Sequence, residues 1–246
     1  MTDLNEAFTA AQKSPPGEFI KAVKSKDIDA AKDLLRRGAN VDETDGLGGL
    51  TSLMLAAMWD DIGLTYLLLE NNADVNIKKH GSGSTAFLYA AAGGYTDLAA
   101  LLIDKVDDIN VEDNIGYTAL IWAAQGGHTE MARFLIAKGA RVNEDNGYGT
   151  TALTLAALGG HEELVRLLLD NGADMTVRDK AGRTPQDCAE QKDYPEVVQI
   201  LQEAAEARQE FIKATENARQ QHMTAAAKQK FFKKRAGNQP MPVGLS

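Results

Sequence analysis

Cysteine is nearly missing from this chain: Cys188 is the single thiol in 246 residues. No intramolecular disulfide can form, and no zinc cage can be assembled from thiolates. That fits a reducing compartment. Nowhere do about 18 uninterrupted apolar residues, the length a membrane span needs, follow one another. The N-terminal stretch MTDLNEAFTAAQKSPPG places acids among its apolar residues and has no basic region ahead of an apolar one, so it does not read as a secretory signal. A soluble protein that stays in the cytoplasm is expected. Acids are missing from one end. Six of the 26 Lys and Arg lie beyond Glu216 and no acid follows it, leaving 20 basic against 35 acidic residues before it. The overall charge of −9 therefore divides into a body of −15 and a basic tail.

What is present is a repeat. TALIWAAQGGH at Thr118 returns as TSLMLAAMWDD at Thr51, TAFLYAAAGGY at Thr85, TALTLAALGGH at Thr151 and TPQDCAEQKDY at Thr184, with spacings of 34, 33, 33 and 33 residues. A second motif keeps step with it: RRGANVD, ENNADVN, DKVDDIN, AKGARVN and DNGADMT. Two motifs in phase at one period mark a solenoid of supersecondary units.

Each unit reads as two short helices and a reversing loop. Thr118 caps the first helix through its hydroxyl. Leu120, Ala123 and Ala124 give that helix a narrow apolar face, and Gly126 and Gly127 end it. TEMARFLIAKG follows as a second helix, with Glu130 in the first turn, where the macrodipole favours an acid. Met131, Phe134, Leu135 and Ile136 supply its buried surface, and Gly139 closes it. ARVNEDNGYG is the polar finger leading to the next unit. No unit of this kind buries its apolar face alone, so stability comes from stacking.

These residues closely resemble the ankyrin-repeat family, whose unit carries a TPLHxAAxxGH stretch and a later LLLxxGADVN stretch. The resemblance covers about residues 17 to 203, roughly three quarters of the chain. It implies an all-α solenoid of stacked helix-turn-helix units with finger loops, in repeats 17–45, 46–79, 80–112, 113–145, 146–178 and 179–203. Before it, residues 1–16 are expected to form a capping helix at TDLNEAFTAA and a turn at SPPG. After it come a helical extension over 204–235 with a basic end, and a disordered tail over 236–246.

Departures from the family pattern are specific. Only Pro185 keeps the proline after the threonine, and the family's next histidine is replaced by Met54, Leu88, Ile121, Thr154 and Asp187. The threonine-to-histidine bond is therefore expected to be absent, with apolar packing in its place. Val106 fills a glycine position that takes a positive φ, costly for a β-branched residue. A distorted turn at DKVDD and a weak third repeat are expected.

Catalytic signals fail one by one. His128 and His161 stand 33 residues apart at equivalent positions, but a metal site needs three or four converging ligands and no third is evident. Both read as the start of a second helix, a slot filled elsewhere by Asp61, Tyr95 and Tyr194. Cys188 shares its slot with Leu55, Tyr89, Trp122 and Leu155 and reads as a buried structural thiol. GLGG, GSGS and GYGT lack the GxxxxGK[ST] pattern of a phosphate loop and read as flexible fingertips. No enzyme activity, cofactor, metal or small-molecule substrate is expected.

The resemblance implies macromolecular binding through fingers and inner helices, as an adaptor, scaffold or inhibitor. Positions matching the family's variable surface are Leu47, Leu50, Met58, Trp59, Ser82, Ser84, Ala92, Ile115, Tyr117, Gln125, Tyr148, Thr150, Leu158, Lys180, Arg183 and Gln191. Exposed apolar groups on such a face mark interfaces, and Trp59 is the leading hot-spot candidate. Trp122 instead reads as a core residue filling space between repeats. At the other end, KQKFFKKR sets Phe231 and Phe232 among Lys228, Lys230, Lys233, Lys234 and Arg235. That suits an anionic membrane, nucleic acid, an acidic protein, the chain's own acidic repeats, or simply a solvated helix end. A secreted bacterial effector is compatible with the same layout, though no residue selects it.

Overall fold

A computed structural model describes residues 16–46 and 48–236, with side chains as far as Arg219. The helix expected near Thr2, the finger residue Leu47 and the tail beyond Ala236 lie outside the described residues. The described residues form twelve α-helices and one short 3-10 turn: α1 Glu18–Lys24, α2 Ile28–Arg36, α3 Ser52–Met58, α4 Ile62–Glu70, α5 Ala86–Gly93, α6 Thr96–Leu102, α7 Ala119–Gln125, α8 Thr129–Ala137, α9 Ala152–Leu158, α10 Glu162–Asp170, α11 Pro185–Gln191 and α12 Pro195–Ala236. The described residues divide into two compact units, one ending at Ile200 and one beginning at Leu201. In the first, the inner helices α1, α3, α5, α7, α9 and α11 stack in chain order, and α4, α6, α8 and α10 form an outer row.

Threonine starts every inner helix from α3 onward, for the reason its hydroxyl predicts. The backbone N–H of Met54, Leu88, Ile121, Thr154 and Asp187 donates to Thr51, Thr85, Thr118, Thr151 and Thr184 in turn, at 3.2–3.3 Å. One helix breaks the rule. Gly17, at φ 82, offers no side chain, and the Glu43 carboxylate, from the loop between α2 and α3, accepts from the N–H groups of Gly17 and Ile20 at 2.9 and 2.7 Å.

The histidine position divides into two solutions. Met54, Leu88 and Ile121 are buried and pack, as expected. Thr154 and Asp187 restore a polar link: the two hydroxyls of Thr151 and Thr154 lie 3.1 Å apart, and the Thr184 hydroxyl donates to Asp187 at 2.8 Å. Asp187 also accepts from the Thr184 N–H, completing a capping box. Apolar packing thus replaces the family's bond in three repeats, not in all five.

A side-chain ladder joins the far ends of the outer helices. Asn76 accepts from Asp107 N–H at 3.0 Å, Asn110 from Arg141 N–H at 2.8 Å and Asn143 from Asp174 N–H at 2.8 Å. Asp42 fills the first rung, accepting from Asp74 N–H at 3.0 Å. Burial raises the Asp42 pKa.

The turn at Val106 is distorted as expected, but the left-handed strain is not there. Helix α6 stops at Leu102, residues Ile103–Lys105 form the 3-10 turn, and Val106 sits at φ −80, ψ 125, open to any residue. Gly139, in the same slot of the next repeat, has φ 94. The chain has changed the shape of the turn and so avoided the costly conformation.

Candidate protein-binding face

Fingers in this stack are pinned by carboxylates and amides. Oδ1 of Asp45 accepts from Gly48 and Leu50 N–H, that of Asp113 from Ile115 and Tyr117, that of Asn146 from Tyr148 and Thr150, and that of Asp179 from Ala181 and Arg183. Each residue folds its own loop and so places the side chains beyond it. The fingers also touch one another. Gly149 has φ 74, and a Cβ there would overlap the Arg178 carbonyl of the next finger. At Gly149 glycine is needed for its positive φ and for this close approach.

Between the third and fourth fingers lies a cavity of about 380 Å³, walled largely by apolar surface. Its fingers contribute Gly81, Ser82, Ser84, Asp113, Asn114 and Ile115, and α5 and α7 contribute Leu88, Tyr89, Ala92 and Trp122. Asn114 stitches the two fingers, donating its side chain to Gly81 O at 2.7 Å and its backbone N–H to Ser82 O at 2.8 Å. Tyr89 and Trp122 hold the same register position on neighbouring inner helices. Trp122 corrects the sequence reading: it is half-buried, its indole N–H donates to Asp113 Oδ2 at 3.0 Å, and it walls this cavity instead of filling the core. The Tyr117 ring meets it edge-on with centroids 5.0 Å apart. Burial, reinforced by the Asp113 charge, raises the Tyr117 pKa.

The structure brings together Ser82, Ser84, Ala92 and Ile115 from the sequence candidates, with Tyr117 alongside. Ile115 is 54% exposed at the cavity rim. Others stand apart from the cavity. Trp59 caps the end of α3 half-buried, with the Lys26 ammonium 5.3 Å from its ring centroid, next to an exposed Met58. Tyr148 is exposed under the Lys180 ammonium at 4.9 Å. Arg183 is committed to Asp179 at 2.6 Å and to Gln191. Leu50 and Leu158 are half-buried, and Gln125 is exposed at the end of α7. The basic residues from Lys228 to Arg235 lie on α12, beyond the last described side chain. Among the described residues, sequence reading also missed an exposed apolar pair one turn apart on the outer helix α4, Ile62 and Tyr66.

The titratable groups weighed for chemistry serve the scaffold. His128 Nε2 lies 3.0 Å from the Ala92 carbonyl of the preceding repeat. Burial lowers the His161 pKa, opposed by its bond to the Gln125 backbone. Cys188 is buried, which raises its pKa. A family model described as ankyrin repeats in three copies matches residues 19–113, 53–146, 88–179 and 142–211.

The chain belongs to the ankyrin-repeat family. The human 2-5A-dependent ribonuclease is 38% identical over 80 residues, which is 32% of this chain and 11% of the ribonuclease. Dauer abnormal formation protein 25 of Caenorhabditis elegans is 30% identical over 109 residues, 44% of this chain and 28% of that protein. The chain thus spans under a third of either relative, and the likeness to the ribonuclease is confined to a short stretch. As an ankyrin-repeat protein it has the architecture of a protein-interaction module. Among the described residues no helix is long and apolar enough to cross a membrane.

Proposed function

We propose that this ankyrin-repeat protein is a non-enzymatic binding module that holds a protein partner on the face made by its fingers and inner helices, centred on the third and fourth repeats. The carrying observation is the cavity walled by Tyr89, Trp122 and Ile115, an apolar recess flanked by exposed finger residues. Interfaces concentrate their energy where aromatic groups line a pocket from which water can be expelled. Candidate nucleophiles and bases support the non-enzymatic reading, because Cys188 is buried and His128 is bonded between repeats.

The test is affinity purification of the full chain from its native source, comparing wild type with Ile115→Glu and Trp59→Ala. Ile115→Glu is expected to remove a partner that wild type retains, while both variants melt near the wild-type temperature. Undiminished recovery with Ile115→Glu, or loss confined to Trp59→Ala, would move the site away from the cavity.

A further inference from the structure

Four finger aspartates fold a loop through Oδ1; Asp145 is exposed, and the three that are not, Asp45, Asp113 and Asp179, differ in one atom. Asp45, Asp113 and Asp179 each use Oδ1 to fold the finger. The second oxygen of Asp45 meets the Lys24 ammonium at 2.9 Å, and that of Asp179 meets the Arg183 guanidinium at 2.6 Å. That of Asp113 meets only the neutral indole N–H of Trp122. Among the described residues no cationic nitrogen lies within salt-bridge distance of Asp113, although it is only 8% exposed. A buried charge without a counter-charge is costly.

We infer that the cavity between the third and fourth fingers receives an arginine or lysine side chain of the partner protein, with Asp113 as its counter-charge and the Tyr89 and Trp122 rings beside its stem. This rests on the finger-and-inner-helix reading above. A carboxylate offers about four lone-pair sites, and Asp113 has three hydrogen bonds, leaving a place for one more donor. Aromatic faces attract cations, more strongly once water is gone. A leucine in the same space would bury apolar area but would strip the last water from Asp113 and leave its charge unanswered. The volume of 380 Å³ falls at the low end of the roughly 300–1,000 Å³ typical of ligand pockets, suited to one long side chain. Charge agrees at long range, since residues 1–216 carry −15 and draw basic partners.

The test uses the full chain labelled with ¹⁵N-tryptophan, whose two indole N–H resonances report the cavity at Trp122 and a remote point at Trp59. Acetylated GARAG amide is titrated against the same peptide with leucine or citrulline at the centre. The arginine peptide is expected to shift the Trp122 resonance saturably, leave that of Trp59 in place, and bind about tenfold more tightly than the citrulline and leucine peptides. Citrulline keeps the shape and removes the charge, so this comparison needs no mutant. Asp113→Asn is expected to abolish the preference, and Asn146 shows that an amide folds the same loop. A leucine peptide that binds as well or better overturns the inference while leaving the partner-binding face intact. No saturable shift with the arginine peptide overturns it too, and the Ile115→Glu purification then decides the face independently.

Discussion

Val106→Gly is expected to destabilise the protein, although it restores the residue that the repeat pattern calls for. The reason lies in Asn76, which clamps the turn from both sides: its Nδ2 donates to the Lys105 carbonyl at 3.1 Å and its Oδ1 accepts from Asp107 N–H at 3.0 Å. Those two bonds fix Val106 between them at φ −80, where glycine has no steric advantage. Glycine adds only unfolded-state entropy, about 0.5–1 kcal/mol. Removing a half-buried valine side chain costs about 0.7–1 kcal/mol more, half of the roughly 1.5–2 kcal/mol at the lower, valine end of the full-burial range. The loss is therefore about 1–2 kcal/mol. With a urea slope of about 2 kcal/mol per molar, the midpoint falls by about 0.5–1 M. Gly139→Ala is the reciprocal control. It has φ 94 and nothing within 4 Å of an added Cβ, so its cost, about 1–2 kcal/mol, is backbone conformation alone. A rise in the Val106→Gly midpoint would mean that the turn relaxes to the left-handed closure of its neighbours, and that the Asn76 clamp does not hold it.

Two further outcomes test the scaffold. Glu43→Gln replaces one acceptor oxygen by an amine facing a backbone donor at the start of α1, and the loss of about 1–2 kcal/mol should speed hydrogen exchange in α1 about 5–30-fold; unchanged α1 amides would show that Glu43 is not the cap. His161 has a pKa lowered chiefly by burial, so the unfolded state binds the proton more readily, and its stabilisation is present above about pH 6.5 and lost as pH falls through that value toward the folded pKa. His161→Tyr, the residue found in that slot at Tyr95 and Tyr194, should therefore melt progressively higher relative to wild type as pH drops from 7 to 5; a constant difference across that range would refute the linkage.

Local signals were legible in the sequence and distant ones were not. Thr51, Thr85, Thr118, Thr151 and Thr184 cap because a hydroxyl three residues from a helical N–H needs no other partner, and the 33-residue period fixes the stacking order. The distortion at Val106 was expected but its form was not, because the geometry is set by Asn76, some 30 residues upstream, through bonds that no local pattern encodes. Trp122 was misread because its register slot holds Leu55 and Cys188 in the core of other repeats and half-buried residues in the middle ones. A usable sign was present: only the third and fourth repeats put aromatics there, and they are adjacent. The emphasis on Trp59 followed from exposure expected of a variable position, whereas Lys26 lies over its ring.

On the proposed reading, the finger carboxylates let such a stack vary its binding face without losing its fold. Oδ1 of Asp45, Asp113, Asn146 and Asp179 is held by two backbone N–H groups and is not free to change. The remaining atom of each side chain carries no such duty, and its partner differs: Lys24, Trp122 and Arg183 for the three aspartates. Substituting that partner alters the charge beside the finger while Oδ1 still closes the loop. Exposed aromatics are weaker guides to specificity here, since Tyr148 already has Lys180 over its ring. On the proposed reading, discrimination between partners is expected at Asp113, the one of these three aspartates whose second oxygen meets no cation.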